Sequence, residues 1–182
     1  GLFRPVENPP ALEIYSPTTK QLELIAPSTP EPGAPFQVIV KALDDHFLPN
    51  ITPTYTGTVT FEYPPEVAGP EWYEFIPEDR GIHRFDFTIE KPGIYRIEVK
   101  DAKGIEARSN PIDTRPGSKK IAWGDIHVHS VLSYDADREP DYVFYRQRYV
   151  EGHDFTCLSD HDHIGGVPFA DLTTEALGVF LV

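Results

Sequence analysis

Methionine is absent from the 182 residues and cysteine occurs once, as Cys157. A single thiol excludes an intrachain disulfide framework, and no C-x-x-C pair is present to hold zinc; this leaves the redox compartment open. Basic side chains are scarce, with 16 Lys and Arg against 29 Asp and Glu and a formal net charge of -13. Such a balance repels phosphate backbones, so no nucleic-acid partner is expected, and cations are the more natural counterpart. No run reaches the about 20 apolar residues of a membrane span, so no span is expected. The start Gly1-Leu2-Phe3-Arg4 has neither an initiator Met nor a signal-peptide pattern, and the end Gly178-Val179-Phe180-Leu181-Val182 is apolar. Both ends are therefore expected to be cuts in a longer chain.

Proline and glycine are plentiful, at 19 and 13 residues, which favours strands joined by turns over long helices. Residues 1–20 read as an extended lead-in, because prolines interrupt every periodicity. Short β-type runs then recur at sandwich spacing: 22–26, 36–43, 56–63, 72–76, 82–89, 94–100 and 106–112. Phe36, Val38 and Val40, like Phe85, Phe87 and Ile89, alternate with period two, so each strand buries one face. Pro32-Gly33, Pro92-Gly93 and Asp101-Ala102-Lys103-Gly104 supply the turns. Seven such runs predict an immunoglobulin-like β-sandwich over residues 21–115, with Tyr95 placed to cap a corner through its hydroxyl. His46 and His83 stand alone there, and Trp72-Tyr73 reads as core or edge packing.

The polar, punctuated stretch 113–120 reads as a linker, and residues 116–182 as a second domain of α and β type. The run 121–129 is a predicted strand carrying His127 and His129 at i and i+2, on one face and about 7 Å apart along the chain. A polar loop with Asp135 and Asp137 follows. Pro140 opens a helix that Gly152 terminates; its three tyrosines, Tyr142, Tyr145 and Tyr149, are expected to pack. Residues 154–159 form a second strand, with Cys157 inside it as a buried thiol, delivering Asp160-His161-Asp162-His163 at its end. A parallel β-α-β crossover puts both strand ends on one edge, so these imidazoles and carboxylates are expected to meet. Five of the seven histidines lie between His127 and His163, and His with Asp is the donor chemistry of zinc, manganese and iron sites.

The pattern His127-Val128-His129-Ser130-Val131-Leu132-Ser133-Tyr134-Asp135, with Ser159-Asp160-His161-Asp162, resembles the PHP (polymerase and histidinol phosphatase) domain family. Trp123-Gly124-Asp125 ahead of the histidines, behind a β-rich domain, resembles more narrowly the bacterial PHP-like group DUF3604. The resemblance implies a multidomain protein: the sandwich, then the first β-α-β portion of a PHP-type (β/α)7 barrel. It implies His127, His129, Asp135 and His161 as metal ligands, Asp160 as ligand or support, His163, Asp162 and Asp125 as further candidates, and Asp160 and His161 as catalytic. It also implies two or three divalent metals in a complete site, with the missing ligands on later strands. The stretch 121–182 is far short of the about 200–250 residues of such a barrel, so only part of the site is expected here.

By that resemblance the reaction is hydrolysis of a small phosphorylated or similar substrate by metal-activated water. Cys157 and Ser159 lack the surroundings of a covalent nucleophile. The alternative is a non-catalytic module, an envelope or extracellular sandwich that binds metal without turnover. An extracytoplasmic bacterial location is expected under either reading. The polymerase-editing role suggested by the family's name is opposed by the acidic balance.

Overall fold

In a computed structural model, residues 15–133 and 135–161 are described. Ten strands build the first region: β1 (Gln21–Ile25), β2 (Phe36–Leu43), β3 (Thr58–Glu62), β4 (Val67–Ala68), β5 (Trp72–Glu74), β6 (Ile82–Ile89), β7 (Ile94–Tyr95), β8 (Glu98–Asp101), β9 (Glu106–Arg108) and β10 (Ile112–Asp113). They form one antiparallel sheet in the order β1-β2-β6-β4, a second in the order β5-β3-β8-β9, and a small β7-β10 ribbon. This is an immunoglobulin-like β-sandwich.

The alternation read in the sequence fills the space between the sheets. Val38, Val40, Phe85 and Phe87 of the first sheet meet Val59, Phe61 and Val99 of the second in one buried cluster. Phe61 bridges the sheets edge-on, its ring 4.9 Å from Phe85 and 5.6 Å from Phe87, a geometry that aligns ring edges with ring faces. The Tyr95 hydroxyl donates to the Lys91 carbonyl at 3.0 Å, tying the corner before β7.

Two of the expected long strands are each broken in two. The run 94–100 splits at Arg96-Ile97, where the Ile97 amide donates to Ser109 Oγ instead of to a neighbouring strand. The run 106–112 splits at Ser109-Asn110-Pro111, and Pro111 has no N–H to continue a ladder. The breaks let β8 and β9 stay in the second sheet while β7 and β10 pair with each other. The two-residue strand β4 escapes a sequence reading because it is too short to show a period.

Beyond the sandwich come β11 (Gly124–Val128), the helix α1 (Pro140–Tyr149) and β12 (Phe155–Leu158), with β11 and β12 parallel. The connecting stretch is held to the sandwich: Lys120 pairs with Glu31 at 2.6 Å, and the Trp123 indole donates to Ser28 Oγ at 2.8 Å. The expectation that this region opens a (β/α)7 barrel is corrected. Among the described residues the chain is all-β apart from one ten-residue α-helix and a 3-10 turn at Pro77–Asp79, and β11 and β12 make a sheet of two. A barrel wall hydrogen-bonds each strand on both sides, whereas β11 and β12 each have one partner among the described residues, so no portion of a barrel is evident there.

The helix also differs in its buried face. Val143 and Phe144 are buried, while Tyr142, Tyr145 and Tyr149 are largely exposed, so the tyrosines do not form the packing stripe. Among the described residues nothing buries Cys157, which is exposed rather than buried. The C-terminal end of α1 lies on the outer face of β2. There Glu151 reaches Lys41 at 3.0 Å, and Lys41 pairs also with Glu23 at 2.6 Å. Gly152, with φ +70, runs so close that a Cβ there would sit 3.0 Å from Ile25 Cγ2.

Candidate metal centre

The two parallel strands are brought together by local chemistry. A Cβ at Gly124 would collide with the Phe155 carbonyl, so glycine is what allows β11 to lie this close to β12. The Trp123 amide donates to Asp154 Oδ2 at 2.8 Å and the Asp154 amide to the Trp123 carbonyl at 2.7 Å, fixing the register where the strands start. Between Asp125 and Val128 the register slips by a bulge, a device that bends a strand and re-aims its side chains. Beyond it the Ser159 amide donates to the Val128 carbonyl at 2.8 Å, so both strands end side by side.

At that edge His129, Asp135 and His161 come together, with a ligand atom from each lying within 4.8 Å of the others. His129 Nδ1 lies 3.0 Å from both Asp135 carboxylate oxygens, and His161 Nε2 lies 3.3 Å from Asp135 Oδ2. The His129 and His161 rings are 4.6 Å apart. Asp135 is brought back over the strand ends by its loop, which the Val131 amide closes on the Arg138 carbonyl at 2.8 Å. Partial burial pushes the Asp135 carboxyl up, but the hydrogen bond from His129 and the charges of His129 and His161 outweigh it, so its pKa lies below the ordinary carboxylate value. It is an anion at neutral pH.

The donor set fits a divalent ion. Two imidazole nitrogens and one carboxylate oxygen are the chemistry of zinc, manganese or iron. Among the described residues His129 Nε2 is buried with no hydrogen-bond partner, a costly arrangement for a polar atom unless something else satisfies it. Among the described residues the group has three protein donors, and a four-coordinate zinc held by three donors keeps one position open, as in catalytic rather than structural zinc sites.

The other residues singled out in the sequence are placed differently. The His127 ring lies 4.9 Å from that of His129, beside the three donors but outside their group. Asp125 accepts the His127 amide at 2.9 Å and is occupied locally. Asp160 also lies outside the group: it accepts from the Ser130 amide and, at 2.8 Å, from the Ser130 hydroxyl. Asp162 and His163 lie outside the described residues. The sequence reading assigned no role to Ser130 or Ser133, both buried; their signal was a small hydroxyl residue directly after a metal-type His and again three residues on.

No family model matches this sequence, and no curated protein matches it. Solved structures resemble part of it. The D0-D1 domain of Intimin matches at TM-score 0.41 and 14% identity over 53% of this chain and 49% of that one, and the D00-D0 domain of Intimin at 0.39 and 10% over 50% and 44%. The PKD domain of an M14-like peptidase from a Thermoplasmatales archaeon matches at 0.30 and 16% over 54% of this chain and 99% of that one. The chain thus spans about half the length of the Intimin structures it resembles.

Proposed function

We propose that this chain is a metal-binding module: an immunoglobulin-like sandwich that carries a divalent-cation site at the paired ends of β11 and β12, formed by His129, Asp135 and His161. The observation that carries this reading is the convergence of three ligand atoms within 4.8 Å, one of the rings having a buried nitrogen without a partner among the described residues. The net charge of -13 favours cations over anions around it. The proposal places the module outside the cytoplasm, where sandwiches of this type serve as cell-surface domains. No helix among the described residues is long and apolar enough to cross a membrane.

A second reading, metal-dependent hydrolysis of the PHP type, is favoured by the open coordination position and by the resemblance of the His127-to-Asp135 and Asp160-His161 motifs. A bound ion would supply a Lewis acid that activates water and steadies negative charge on a phosphoester. His129, Asp135 and His161 would hold that ion, and Asp135 would also orient the His129 ring. His127, exposed beside His129, is placed to contact a substrate or a further ion.

The test is metal content after dialysis against zinc or manganese, read by mass spectrometry, followed by assay of the loaded protein on a chromogenic phosphoester. One tightly held ion per chain is expected. Metal without turnover selects the binding module, metal with turnover selects the hydrolase, and no retained metal rejects both.

A further inference from the structure

The strand ends that carry the donors are cross-tied by three hydrogen bonds that involve no donor side chain. Asp160, the residue before His161, uses both carboxylate oxygens on Ser130, the residue after His129: Oδ1 accepts the Ser130 amide and Oδ2 accepts the Ser130 hydroxyl at 2.8 Å. In return the His161 amide donates to Ser133 Oγ at 2.7 Å. The loop between the two serines is itself closed, since the Ser133 amide donates to the Ser130 carbonyl at 2.8 Å and the Leu132 amide to Ser130 Oγ at 3.3 Å. Ser130 is fully buried and Ser133 nearly so, so water does not compete easily for these bonds.

We propose that Asp160, Ser130 and Ser133 form a positioning clamp that sets the separation of His129 and His161, and that Asp160 acts through this clamp rather than as a ligand. The inference rests on the metal reading above. Its physical basis is geometric. A two-stranded sheet has little else to fix its ends, and metal affinity falls steeply once donors must be reordered at the moment of binding. The clamp ties the backbone one residue from each imidazole, the shortest lever the chain offers. Both Asp160 carboxylate oxygens are engaged on one serine, in keeping with its place outside the group of three donors.

Titration with cobalt(II) chloride separates the possibilities, because its visible absorption reports the donor set as well as the affinity. In the unaltered chain, saturable binding with a visible band is expected; its absence rejects the metal reading, and the clamp falls with it. Ser133→Ala should weaken binding about tenfold, and Asp160→Asn by about 10–100-fold, the range for losing an outer-shell partner. The band at saturation should be unchanged in both, since the donors remain. Ser133→Thr, which restores the hydroxyl, should recover most of the affinity. Wild-type affinity in Ser133→Ala and Asp160→Asn would overturn the clamp while leaving the metal site standing. An altered band in Asp160→Asn would make Asp160 a ligand and equally overturn it. Should Asp160→Asn fail to fold, the Ser133→Ala and Ser133→Thr pair decides alone.

Discussion

Phe87 in the sandwich is 1% exposed, whereas Trp123 and Ile126 in the strand-helix-strand region are 59% and 73% exposed. The sandwich holds its shape by burying a continuous apolar cluster between two four-stranded sheets. Among the described residues the strand-helix-strand region has a two-stranded sheet and buries chiefly Val143 and Phe144 of its helix. Two strands alone are marginally stable in water. What keeps the second region in place is therefore a set of polar ties: Trp123 to Ser28, Glu151 to Lys41, Asp154 to Trp123, and Asp160 to Ser130. The difference teaches that one region is stabilised by area removed from water and the other by directional bonds, and it predicts that they respond to different perturbations.

The largest effect should come from the sandwich core. Phe87→Ala removes a ring packed against Phe36, Phe61 and Tyr63 and should cost about 3–5 kcal/mol, read as a shift of the urea midpoint. Because the second region leans on β2, metal binding should be lost in the same transition. Metal binding that survives melting of the sandwich would break the comparison, since it would make the second region independent.

A smaller effect should come from the docking pair. Glu151→Gln should cost about 1.5–3 kcal/mol at neutral pH, the scale of a hydrogen bond to a charged partner, because Lys41 is buried and keeps Glu23 as its remaining acid among the described residues. Burial raises the Glu151 carboxyl, but Lys41 and Arg146 more than offset it, leaving its pKa below the ordinary value. A depressed carboxylate stabilises the fold above the ordinary carboxylate range, and that contribution is lost as pH falls through the folded value. The gap between Glu151→Gln and the parent chain should therefore close as the pH is lowered. A gap that is constant with pH would show that charge is not what holds the helix end to β2.

Much of this architecture was legible in the residues. Alternation at Phe36, Val38 and Val40 and at Phe85 and Phe87 located the core face of β2 and β6, because period two maps directly onto the two sides of a strand. The second burial of β2, at Ile39 and Lys41, was not legible, since it depends on where α1 ends in space. The break at Arg96-Ile97 depends on the Ile97 amide donating to the Ser109 side chain, which leaves no periodic trace. At the site, the spacing of His127 and His129 and the parallel return to Asp160-His161 placed the right chain segments together. Choosing the donors was harder. Asp160 and Asp135 look alike in sequence, and only the bonds to Ser130 on one side and His129 on the other tell them apart. The barrel expectation failed because one strand-helix-strand repeat does not by itself bring a third strand.

The central claim, that His129 and His161 hold a cation while the sandwich histidines do not, is tested most directly by following the imidazole signals in a zinc titration by NMR. His83, bonded to Asp79 at 2.6 Å and stacked on Tyr73, and the exposed His46 serve as internal controls. The account predicts that His129 and His161 shift to a bound position that saturates at one zinc per chain, with His46 and His83 unmoved. Signals of His129 and His161 that stay in place, or that drift no more than those of His46, would contradict it.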